Sequence, residues 1–174
     1  MQIKLKQAYS VKKECSQKST HTGVIDEGDL TRLSEAVNDV LGPVNLTFKI
    51  FKGYTNLPEI EGNYQVDVSL TCQRCLSDFK TEVKNDFHFY VGKNLDLEEE
   101  EFAEYETIFS NDEGLLDIVA LVEDDIILNL PLIPKHETDC NTYLLDQQKQ
   151  IEANPIKKKN PFEVLKGLKT SLKH

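Results

Sequence analysis

The residues best suited to chemistry are three thiols and an imidazole in two short groups. Cys72 and Cys75 are spaced Cys-x-x-Cys, and about sixty residues later His136 and Cys140 are spaced His-x-x-x-Cys. Thiolates at the first spacing can turn both sulfurs toward one ion. A later His and Cys would complete a tetrahedral Cys₃His shell, which suits zinc. One structural zinc ion is therefore the candidate cofactor. The same spacing is also satisfied by small buried turn residues in a reducing compartment, with His136 and Cys140 in a loop of their own. Thiol redox catalysis is a third use, and it wants the Cys-x-x-Cys at a helix N-terminus, where the thiol becomes more acidic. Here the pair falls between strands, which argues against that use. A metal- or thiol-dependent enzyme built on these cysteines stays open as the alternative reading.

Carboxylates are the second resource. From Asn94 to Pro134 the chain has 13 acidic residues and no Lys, Arg or His. The run Glu98-Glu99-Glu100-Glu101 reads as a solvated loop, without the desolvated carboxyl that acid–base catalysis needs. Asp117, Glu123, Asp124 and Asp125 lie on or beside an apolar helix, so they form the candidate partner-binding face. Residues 1–93 are neutral, whereas the last 18 residues hold six Lys against Glu163, and the whole chain carries −10. An acidic surface of this kind repels the phosphate backbones of RNA and DNA and attracts basic proteins. Lys157, Lys158 and Lys159 are what the chain offers to RNA, and binding through this basic tail is a second alternative. Glycine-rich phosphate loops, Gly-x-Ser-x-Gly and His-Glu-x-x-His are all missing, which disfavours an enzyme. The histidines are scattered: His21 and His174 read as solvated, and His88 as facing away from Phe87 and Phe89.

The elements that must position these groups follow from periodicity. Ile3, Leu5 and Val11 suggest an opening strand. Asp29 can cap a helix with Leu30, Leu33, Ala36, Val37, Val40 and Leu41 on one face, stopped by Gly42-Pro43. Leu46, Phe48 and Ile50 alternate as a strand, and Gly53 to Gly62 has turn composition. Tyr64, Val66, Val68, Leu70 and Cys72 give the clearest period of two in the chain. A strand or strand pair then runs through Phe79, Val83, Phe87, Phe89 and Val91. A short strand is expected near Ile108 and Phe109, a turn at 111–114, and a helix from Leu115 to Leu130 that ends at Pro131. The fold class is α+β, an antiparallel meander-like sheet packed with two main helices. Residues 1–137 make one domain with an acidic loop near 94–106, followed by a polar linker at 138–160. Asn160 and Pro161 can start a C-terminal amphipathic helix over 161–173, whose Phe162 and Leu165 need somewhere to dock.

No apolar run approaches the roughly twenty residues of a membrane helix, and the N-terminus lacks the apolar stretch of a secretory signal. The expected location is the cytoplasm, with no membrane partner.

Three blocks in order resemble the YceD family. The first is Leu70-Thr71-Cys72-Gln73-Arg74-Cys75 with the Phe79 strand. The longest is Asp117 to Pro131, running on to Pro134, His136 and Cys140, and the last is Asn160-Pro161-Phe162-x-Val164-Leu165-x-x-Leu168-Lys169. They cover about half the chain. The resemblance implies a non-enzymatic ribosome-biogenesis factor needed for accumulation of large-subunit (23S) ribosomal RNA, and it brings no catalytic residue with it. Joined to the charge pattern, it implies a basic ribosomal protein or a large-subunit precursor as partner.

Overall fold

A computed structural model describes residues 3–54, 56–92, 106–140 and 142–153. The chain divides into two compact units, Met1–His136 and Glu137–His174. The first is built on a six-stranded sheet in the order β2-β4-β5-β6-β7, with β3 also paired to β5. These strands are β2 (Thr20–Ile25), β3 (Asp39–Val40), β4 (Val44–Lys52), β5 (Pro58–Thr71), β6 (Asp78–Gly92) and β7 (Thr107–Phe109). All pairings are antiparallel except β6 with β7. Strands β1 (Ala8–Ser10) and β8 (Leu115–Asp117) form a separate antiparallel pair.

The alternation that defines β5 in the sequence sorts the sheet into two faces. Leu46, Phe48 and Ile50 of β4, Tyr64, Val66, Val68 and Leu70 of β5, and Val83 and Phe87 of β6 are buried. Helices α1 (Val11–Gln17), α2 (Thr31–Ala36) and α3 (Ile118–Leu128) add Val11, Leu33, Ile118, Val122 and Ile126 to the same core. The α+β class and the mainly antiparallel sheet agree with the sequence, and β6 is one continuous strand rather than a pair.

Other expectations change. The helix expected to reach Leu41 stops at Ala36, and Val37 turns extended. The cause is an unfilled strand edge: β4 pairs with β5 only from Pro58 to Gln65, leaving Val68 and Ser69 for β3. Ladder hydrogen bonds to those groups outweigh a helical turn built on Asn38 and Asp39, both weak helix formers. Val11 begins a helix instead of ending a strand, and β2 lies in a stretch that reads only as polar. Strand β5 starts at Pro58, inside the tract expected to be all turn, and Leu115–Asp117 is a strand before α3 begins. In the second unit, α4 (Thr142–Ala153) occupies part of the segment expected to be linker. The acidic tract at 94–105, Lys157–Lys159 and the helix expected over 161–173 lie outside the described residues.

Candidate functional site

Strand β5 ends by delivering Cys72, fully buried, into a tight turn. Its N–H donates to the Ser77 carbonyl at 3.0 Å, and its carbonyl accepts from the Leu76 N–H at 2.9 Å. Leu76 closes the turn with a left-handed φ of 61°. The Arg74 N–H donates to Cys72 Sγ at 3.4 Å, and Cys75 Sγ lies 3.0 Å from Ser77 Oγ.

The segment that leaves α3 comes back to this turn. The Pro134 carbonyl accepts from the Gln73 N–H at 2.8 Å, and the His136 carbonyl accepts from Arg74 Nη2 at 2.8 Å. The His136 ring packs against Phe79 at 4.8 Å between centroids, and its Nδ1 stands 3.5 Å from Cys75 Sγ. The sulfurs of Cys72 and Cys75 and an imidazole nitrogen of His136 fall within 4.8 Å of one another. A tetrahedral zinc with bonds of about 2.3 Å to sulfur and about 2.0 Å to nitrogen sets its ligand atoms roughly 3.5–3.8 Å apart. The three groups fit such an ion after small side-chain rotations. Cys140 lies in the second unit, four residues past His136, and none of the four cysteines is in a disulfide.

The carboxylates expected to form a partner face are mostly turned inward. Glu123 is 4% exposed. Its Oε1 accepts the N–H groups of Arg32 and Leu33 at 2.7 and 3.0 Å, and its Oε2 accepts from Arg32 Nε at 3.0 Å. It thereby caps α2, whose own cap position holds the buried Leu30, a side chain with no acceptor. Asp117 caps α3 by accepting the Ala120 N–H at 2.9 Å. Asp125 accepts from Asn85 Nδ2 at 3.0 Å and joins Tyr64, whose hydroxyl is pushed well above its ordinary pKa by burial and then by this carboxylate. Only Asp124 of the four is exposed, and it is ion-paired with Arg32. Helical periodicity alone puts Glu123, Asp124 and Asp125 together on the polar face of their helix. The neighbouring α2 and β6 claim two of them. Phe162 and Leu165 lie outside the described residues.

Two carboxylate–imidazole pairs escaped the sequence reading. Glu14 is buried beneath α1, with His21 Nε2 at 2.8 Å and Ser19 Oγ at 3.1 Å. Burial alone would raise its pKa, but hydrogen bonds from His21 and Ser19 outweigh that and hold it below the usual carboxylate value. His21 is not solvated as expected, since its ring stacks on Phe48 at 5.1 Å and meets Tyr9 at 4.8 Å. On the opposite face of the sheet, Glu59 is 6% exposed and lies 2.9 Å from His88 Nε2. Cross-strand register predicts neither pair until the strands are placed.

No helix among the described residues is long and apolar enough to cross a membrane. The molecule is thus a small α+β protein whose central sheet ends in a cysteine turn clasped by a returning histidine. The family described as large ribosomal RNA subunit accumulation protein YceD matches residues 60–169. A Haemophilus influenzae protein with that name is 32% identical over 159 residues, which cover 90% of this chain and 91% of its own. No solved structure matches. The chain belongs to the YceD family.

Proposed function

We propose that this chain supports accumulation of large-subunit (23S) ribosomal RNA as a non-enzymatic assembly factor that binds a basic ribosomal protein or an assembly intermediate. The observation that carries this reading is family membership, because the Haemophilus influenzae relative is named for large ribosomal RNA subunit accumulation. The net charge of −10 supports a cationic partner. Asp124 and the acidic tract at 94–106 are the groups left for it, since Asp117, Glu123 and Asp125 hold the first unit together. Phe162 and Leu165 would supply apolar anchors for the same partner.

A structural zinc ion on Cys72, Cys75, His136 and Cys140 belongs to the same proposal. It would cross-link the end of the sheet to the segment following α3, and so fix the chain without taking part in a reaction. The test is affinity capture of large-subunit components by the full chain at low and at high salt. Retention of basic large-subunit proteins at low salt, with loss at high salt, is expected. Failure to retain any large-subunit component would overturn the proposal.

A further inference from the structure

Six strand residues and a hairpin glycine on the solvent face of the sheet have no role in the fold's core or in the cysteine turn. In the register, Phe51, Glu59 and Tyr90 stand side by side across β4, β5 and β6, and the next row is Lys49, Glu61 and His88. Adjacent strands are spaced by about 4.8 Å, so the Phe51 and Tyr90 positions are roughly 10 Å apart with Glu59 between them. Phe51, Glu59, Glu61, His88 and Tyr90, together with the hairpin from Lys52 to Tyr54, line a recess of about 520 Å³.

Its floor is unusual for a solvent face. Glu59 is buried because Gly53 passes directly over it, and a Cβ on Gly53 would meet Glu59 Oε1 at 1.7 Å. Its Oε2 is held by His88. A carboxylate kept in place between two aromatic rings combines both means of recognising an organic cation, charge-assisted hydrogen bonding and a π face. The protein itself already puts a cation on this surface, since Lys49 Nζ sits 4.9 Å from the Phe51 ring centre while paired with Glu61 at 2.7 Å.

We propose that this recess receives an arginine side chain of a basic partner protein, with Glu59 taking the guanidinium and Phe51 and Tyr90 flanking its plane. The occupant follows from shape and charge. A guanidinium is flat, always charged and fits between rings, whereas an ammonium lacks the plane. A nucleobase could also stack here, but its phosphates would meet Glu59 and Glu61. Lys49 is already paired with Glu61, which leaves Lys52 at the hairpin as the basic group bordering the recess. This inference rests on the basic-partner reading and names the pocket that reading lacks.

The test is a titration of the full, isotopically labelled chain with N-acetyl-arginine amide, its neutral citrulline counterpart and a single-stranded RNA pentanucleotide, followed by NMR. The arginine compound should shift the Phe51, Tyr90 and His88 ring signals, and citrulline should leave them in place. Glu59→Gln should weaken binding by about tenfold or more, as expected when a charged acceptor becomes neutral. Because that change touches a buried group, Phe51→Leu and Tyr90→Leu serve as second variants that leave Glu59 intact, and each should also weaken binding. Equal response to citrulline, no response at these rings, or a response to RNA alone would overturn the pocket. Variants that still capture basic large-subunit proteins as well as the unaltered chain would also overturn it while leaving the assembly-factor reading standing. An unaltered chain that captures none would count against that reading instead.

Discussion

At the scale of single residues, the structure spends its charges on folding before it offers any to a partner. Glu123 lies in the same acidic triplet as Asp124 and Asp125, yet it serves as the acceptor for two backbone N–H groups of α2. Glu123→Ala should therefore cost about 1–3 kcal/mol of unfolding free energy, measured by denaturant titration, because buried amides lose their acceptor. Asp124→Ala, at an exposed ion pair, should change stability by less than about 1 kcal/mol. Glu14 gives a pH dependence of known sign. Its folded pKa lies below the ordinary carboxylate value, so its contribution is complete above that value and is lost as pH falls through the depressed one. Glu14→Gln should flatten the acid limb of a melting-temperature profile, and an unchanged limb would contradict the assignment. The cysteine and histidine set was legible from spacing alone. The buried pairs Glu14–His21 and Glu59–His88 were not, because in sequence each acid looks like an ordinary surface residue and its partner comes from another element.

At the scale of elements, strands with a strong period of two were easy to read and short helices were not. Strand β5 announces itself through Tyr64, Val66, Val68 and Leu70, and the core face of β4 through Leu46, Phe48 and Ile50. Helix α1 has one apolar turn, Val11 and Cys15, in a lysine-rich segment, so its burial depends on a sheet the sequence had not yet placed. The stripe from Leu30 to Leu41 divides between α2, β3 and the residues beside them, which buries Leu30, Leu33, Val37 and Val40 and leaves Ala36 and Leu41 exposed. A close approach at Gly62 ties β4, β5 and β6 together. A Cβ there would come within 2.5 Å of the Thr47 carbonyl oxygen and 2.7 Å of Phe87 Cζ. Gly62→Ala should destabilise the protein by about 1–3 kcal/mol through overpacking, as read from thermal or denaturant unfolding. The cysteine turn makes a prediction at the same scale. Purified protein should carry about one zinc per chain, and Cys72→Ser with Cys75→Ser should release it and lower the melting temperature. Metal analysis and calorimetry on the same samples check this; loss of a turnover activity from a variant that keeps its stability would favour a thiol enzyme instead.

At the scale of the whole molecule, the charge pattern and the family point the same way. The α+β class, the family and the neutral, acidic and basic parts of the chain were all present in the sequence, because composition and motif order survive without coordinates. The helix α4 was not, since Thr142–Ala153 is polar enough to read as linker. The most direct measurement is the ratio of 23S to 16S ribosomal RNA in cells depleted of this protein and then supplied with it again. The ratio should fall on depletion and recover with the unaltered chain. A ratio that stays constant through depletion would contradict the assembly-factor account.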